Sequence, residues 1–152
     1  MRRDGGYGAG MAEGLERFVA AQDEGGTLRR ALAEVAAGEK RTHWMWFVYP
    51  QLAGLGHSPT AQLYAIRDED EARAYLAHPV LGPRLLEAME AAASAPASSA
   101  EALLGGIDAA KLRSSATLFG RVAPDEPVFR RVLDRFFDGR EDEGTTALLP
   151  HR

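Results

Sequence analysis

The chain contains no cysteine. That absence removes a disulfide framework, a thiolate zinc site and a cysteine nucleophile together. It also fits a reducing cytoplasm. Lysine is almost missing: Lys40 and Lys111 stand alone beside 16 arginines. No apolar run approaches the roughly 20 residues needed to span a bilayer, so no membrane partner is expected. Met1-Arg2-Arg3 leads into a glycine-rich stretch from Gly5 to Gly10, where an export signal would need an apolar one. A cytoplasmic location is the expectation. Basic charge is not in excess either. With 18 basic against 22 acidic residues the formal charge is -4, the wrong balance for a general nucleic-acid binder.

The strong chemical motifs are missing as well. There is no phosphate loop of the Gly-x-x-x-x-Gly-Lys-Ser/Thr type, no Gly-x-Gly-x-x-Gly, no His-Glu-x-x-His and no Gly-x-Ser-x-Gly elbow. His43, His57, His78 and His151 have no histidine partner three or four residues away, so a helical metal pair is excluded. Neither a metal nor a cofactor is expected, and nothing in the pattern sets an oligomeric state.

What remains is 152 residues, 45% hydrophobic and 26% charged, enough for one packed core. Residues 1–12 read as an extension without fixed structure, with Met11 as a second candidate start. Residues 13–150 read as a single helical domain. Leu15, Phe18, Val19 and Gln22 mark one helix, which Gly25-Gly26 breaks. Thr27 is placed to cap the next, with Leu28, Ala31, Leu32 and Val35 on one face and Gly38 as its stop. Thr42 to Tyr49 is dense in aromatics and allows a strand or a short buried helix; its helical neighbours favour the helix.

Ser58-Pro59 is a cap with a first-turn proline, and Asp68 with Glu71 has capping-box spacing. Gly82-Pro83, inside the apolar pattern that follows Pro79, predicts a late helix start or a kink. Ser98 with Glu101, and Asp108, are further candidate caps. Phe129, Val132, Leu133 and Phe136 form the clearest amphipathic face, ended by Gly139. No period-two alternation persists. The expected fold is all-α, a compact single-domain bundle of roughly seven to nine short helices.

Two segments could carry chemistry. The first, Lys40 to Gln51, sets Lys40, Arg41 and His43 directly before Trp44 and Trp46. Such a boundary offers cationic donors to an anion and flat rings to a planar group. If Lys40 and Arg41 start a helix, its free N–H groups add to the attraction for negative charge. The competing reading buries the aromatics in the core and leaves the cations in water. The second segment is Lys111 to Phe119, with Arg113 and Ser115, where small hydroxyl residues sit within a helix. Close helix packing with a surface lysine is the favoured reading of those. Both lysines of an arginine-preferring chain fall in these two segments, which suggests that a compact point charge is wanted there.

The same residues resemble a bacterial family catalogued as a domain of unknown function, number eighteen-ten, and often mislabelled calpastatin. The likeness runs through Arg17-Phe18-Val19, Lys40 to Gln51, Tyr64-Ala65-Ile66, Glu71 to Pro79, Lys111 to Phe119 and Phe129 to Gly139. It implies a compact multi-helical fold and carries no established activity or catalytic residue. Ala116, where methionine is usual, and Gly105-Gly106, in place of a more aromatic turn, depart from it. The calpastatin label fails physically, because calpastatins are repetitive and disordered, whereas this chain has no repeat and a periodic apolar pattern.

The functional expectation is a cationic, aromatic-walled pocket that binds a small anionic, nucleotide-like ligand. Lys40, Arg41, His43, Lys111, Arg113 and Ser115 would hold the charge, and Trp44 or Trp46 would stack. If the ligand is processed, His43 is the acid/base candidate. The alternative is a protein–protein interaction module without catalytic activity, using exposed aromatics or the arginine-rich stretch Phe129 to Arg135 as its surface.

Overall fold

The structure, a computed structural model, describes residues 14–150. The expected extension over residues 1–12 and the alternative start at Met11 lie outside the described residues. Among those described there is no strand, and the chain is all-α as expected.

Residues 14–23 are helical (α1), with Leu15, Phe18 and Gln22 turned inward. Left-handed Gly25 and Gly26 end α1 in a 3₁₀ turn, Glu24–Gly26, and α2 follows at Thr27–Ala37. Thr27 does not cap α2. Its hydroxyl donates backwards to the Glu24 carbonyl at 2.6 Å, and left-handed Gly26 takes the cap position.

The remaining helices are α3 (Met45–Val48), α4 (Pro59–Leu63), α5 (Glu69–Ala77), α6 (Leu81–Ser94), α7 (Ala100–Leu104), α8 (Gly106–Val122), α9 (Pro127–Phe137) and α10 (Glu143–Leu148). Between α3 and α5 the chain makes one isolated parallel bridge, Leu52 with Ile66.

The polar punctuation explains several boundaries. Ser58 accepts from Ala61 N–H at 3.1 Å, and Asp68 accepts from Glu71 N–H at 2.9 Å, as the capping patterns predict. Ser99 rather than Ser98 caps α7. Helix α6 starts late, so Gly82 and Pro83 fall in its first turn, where the N–H that proline lacks would have no helical partner. His78 caps that turn, its Nδ1 accepting from Val80 N–H and Leu81 N–H. Gly82 is forced by packing: a Cβ there would lie 2.1 Å from the Leu76 carbonyl oxygen.

Helices α6 and α8 form the centre. Helix α8 packs against α5, α7, α9 and α10, and α6 packs against α2, α5 and α9. Their buried faces (Leu81, Leu85, Met89; Leu112, Leu118, Phe119) each contribute roughly 1.5–3 kcal/mol per large side chain removed from water. Helix α9 closes the core with Val128, Phe129, Val132 and Leu133. Its arginines are committed within the chain: Arg131 pairs with Glu90, and Arg135 donates to the Ala93 carbonyl in the last turn of α6 and to the Ala97 carbonyl in the loop after it.

Candidate functional site

The site begins with a turn. Left-handed Gly38 stops α2, and the chain doubles back over residues 39–44. What holds that turn is Glu34, 8% exposed on the last turns of α2. Its Oε1 accepts from Arg41 N–H (2.8 Å), Thr42 N–H (3.0 Å) and the Trp44 indole N–H (2.8 Å). Its Oε2 accepts from the Thr42 hydroxyl at 2.7 Å. Burial alone would raise the Glu34 pKa, but the hydrogen bonds from the Thr42 hydroxyl, the Arg41 N–H, the Trp44 indole and the Thr42 N–H hold it at about 2. The backbone donors near Lys40 and Arg41 therefore serve an internal anion. They do not open a helix either, since α3 begins only at Met45.

Lys40 N–H donates to the Leu103 carbonyl at 2.8 Å, which ties the turn to the end of α7. From there the Lys40 side chain reaches Asp108 in the first turn of α8, Nζ to Oδ2 at 3.1 Å. Lys111, one turn further along α8, approaches the other oxygen of the same carboxylate at 3.5 Å. Each ammonium also faces an indole: Lys40 lies 5.2 Å from the Trp44 ring centre and Lys111 lies 5.3 Å from that of Trp46. The three charged side chains are 10%, 20% and 19% exposed for Lys40, Lys111 and Asp108, so the cluster lies just beneath the surface. Two ammonium groups share one carboxylate.

The other expected residues divide by position. Trp46 is half-buried and walls the cluster. Arg41 and His43 are exposed on the same turn. Arg41 pairs with Glu39, and His43 makes no hydrogen bond or ion pair with the described residues of the cluster. Trp44 is completely buried, and its rings are out of reach of any ligand.

Arg113 leaves the cluster: two residues past Lys111, it projects to the far side of α8. There it donates to the Arg140 and Glu141 carbonyls at 2.9 and 3.0 Å. Ser115 shares the Lys111 face but sits a turn deeper, fully buried, with its hydroxyl unpartnered. Lys40, Lys111 and Trp46 are thus brought together, while Arg113 and Ser115 are not.

Sequence reasoning passed over Glu34 and took Asp108 for a cap. Asp108 had a signal, its spacing three residues before Lys111, which suits an ion pair on one helix face. Glu34 had none, because its partners lie across a turn whose path only Gly38 hints at.

A roomier space exists elsewhere. A cleft of about 630 Å³ is lined by Glu69, Arg73, Arg121, Thr146 and Leu149 among others, and none of the expected site residues borders it. Its cations are paired: Arg73 with Glu69 and Asp70, and Arg121 with Glu141. Volume favours the cleft; what sets the lysine cluster apart is that two ammonium groups share one carboxylate beside an indole. Trp46 also borders a narrow gap of about 10 Å³ with Gln51 and Tyr64, room for about one water. Among the described residues no group of histidines and carboxylates is arranged to hold a metal ion, and no helix is long and apolar enough to cross a membrane.

Chemically, the cluster sets two ammonium donors on one carboxylate next to a flat ring. The class these features define is an all-helical domain with a lysine–carboxylate–lysine cluster beside a half-buried indole. The chain belongs to the family described as protein of unknown function (DUF1810), whose model matches residues 12–149. It is similar to the crystal structure of the conserved hypothetical protein Rv1873 from Mycobacterium tuberculosis, with 45% identity and a TM-score of 0.86 over 91% of this chain and 97% of that one. A search of curated proteins found no match.

Proposed function

We propose that the chain binds a small anion carrying a planar, nucleotide-like group at the cluster of Lys40, Lys111 and Trp46, with Arg41 and His43 on its exposed rim. The observation that carries this reading is the convergence of both lysines on one carboxylate. The two ammonium groups share that carboxylate just beneath the surface, with the ionised Glu34 behind the turn, in a chain whose overall charge is -4. An anion would be drawn by the two ammonium donors themselves, each of which can exchange one carboxylate partner for another acceptor. The half-buried indole of Trp46 adds a flat apolar wall for a ring system. The first turn of α8, which no side chain caps, adds favourable backbone dipole. The activity is binding; His43 lacks the partner that would orient it as a catalytic base. A cytoplasmic setting, consistent with a cysteine-free chain, is where such metabolites are met.

The test is a thermal-shift and calorimetric titration with AMP, using adenosine as the uncharged control, on wild type and on Lys40→Gln and Lys111→Gln. AMP is expected to stabilise wild type, adenosine to do so much less, and each substitution to weaken AMP binding by tenfold or more. If AMP shifts neither melting nor heat, or if the lysine variants bind it as wild type does, the reading is wrong.

A further inference from the structure

Asp108 raises a problem that the binding reading must solve, and the inference that follows rests on that reading. The carboxylate that brings the two lysines together also occupies them, its oxygens 3.1 Å from Lys40 Nζ and 3.5 Å from Lys111 Nζ. It is tethered in the first turn of α8, so its effective concentration at the ammonium groups far exceeds that of any free metabolite. An incoming monocarboxylate offers these lysines nothing that Asp108 does not already supply, and it comes without the tether. A phosphate monoester is different. It carries about 1.5–2 negative charges near neutral pH and three acceptor oxygens, enough to engage both ammonium groups at once.

We propose that Asp108 is a built-in counter-ion that the ligand must displace from Lys40 and Lys111, and that this exchange restricts the site to phosphate esters and diphosphates over carboxylates. Displacement is feasible because of where Asp108 sits. As an acidic residue in the first turn of α8 it keeps a favourable environment when the lysines turn away, the partial positive charge of the helix N-terminus. Both lysines keep contact with an indole, so neither ammonium moves through an apolar region to reach the new partner. The same exchange explains how a chain with so few lysines keeps two of them paired and folded in the absence of ligand. A bare pair of partly buried ammonium groups would repel each other, and Asp108 relieves that repulsion.

The experiment compares three probes, AMP, adenosine-5′-carboxylate and adenosine, on full-length wild type and on Asp108→Asn, by calorimetry at low salt, with circular dichroism confirming the fold. Wild type is expected to bind AMP and to discriminate against the carboxylate by at least tenfold. Asp108→Asn is expected to bind AMP about tenfold more tightly and to gain measurable affinity for the carboxylate. If wild type binds AMP but Asp108→Asn binds it no better, Asp108 positions the lysines rather than competing, and the exchange is refuted while the site survives. If wild type binds both anions alike, the selectivity claim falls. If neither protein binds AMP, the site reading fails and the exchange with it. Should Asp108→Asn fail to fold, Asp108→Ser removes the same charge with a residue suited to a helix start, and the same outcomes apply.

Discussion

Glu34→Gln isolates the contribution of one buried carboxylate. The folded protein holds Glu34 at about 2 against an ordinary 4.5. At about 1.4 kcal/mol per tenfold, that gap corresponds to roughly 3 kcal/mol of stability at pH 7 as an upper bound. Exposed Arg41 and Thr42 flank the group, and screening there brings the expected value to about 2 kcal/mol. The direction follows from the lowered value. The contribution is present in full above pH 4.5, declines as the pH falls through the window from 4.5 to 2, and is gone below it.

Glutamine keeps an acceptor for Trp44 Nε1 and the two backbone N–H groups but removes the charge. Glu34→Gln should therefore lose about 2 kcal/mol at pH 7 and visibly less at pH 3, where roughly half of the wild-type advantage has disappeared. Urea denaturation followed by far-ultraviolet circular dichroism at both pH values measures this, and the combined fluorescence of Trp44 and Trp46 follows the surroundings of the turn. A loss that is the same at pH 7 and pH 3 would refute the argument, because it would show that the charge is not what holds residues 39–44. Glu34→Ala should cost more, about 3–4 kcal/mol, since it leaves the wholly buried Trp44 indole N–H without a partner.

Two other substitutions test the packing. Gly82→Ala places a Cβ 2.1 Å from the Leu76 carbonyl oxygen, which is backbone and cannot swing aside. It should cost more than about 3 kcal/mol in thermal or urea unfolding, well beyond Gly105→Ala, where the cost is left-handed strain with open space around the new methyl (about 1–2 kcal/mol). Equal losses would mean that the corner between α5 and α6 yields. Ser115→Ala should stabilise the protein by about 1 kcal/mol, because it deletes a buried hydroxyl with no partner and puts a better helix former in α8. A drop in the urea midpoint would show that the hydroxyl is satisfied after all.

Much of the helical architecture was legible before any coordinates, because its signals are local. The cap of α4 at Ser58-Pro59, that of α5 at Asp68 and the apolar face of α9 are each settled by a few neighbouring residues, while Gly82-Pro83 narrowed α6 to a late start or a kink, of which the structure takes the late start. Where two local solutions competed, reading by pattern alone went astray. Thr27 looked like a cap, yet Gly26 reaches the left-handed conformation that opens α2. Asp108 looked like another, yet α8 begins two residues earlier and frees its carboxylate for the lysines.

The candidate site was only half legible for the same reason. Composition singled out Lys40 and Lys111, and the helical pattern placed Lys111 in α8, because residue counts and helical repeats need no knowledge of distant chain; the expected helix start at Lys40 is instead a turn before α3. The sequence by itself determined an all-helical domain, its family and the two cationic segments. Only the tertiary structure decided that these segments meet, that they meet on Asp108, that Trp44 lies behind the site while Trp46 borders it, and that Arg113 faces away. Those outcomes depend on how α2, α7 and α8 pack, through hydrogen bonds such as Lys40 N–H to Leu103 and the four donors gathered on Glu34. Contacts between residues far apart in the chain follow from the geometry of packing, and a local pattern does not encode them.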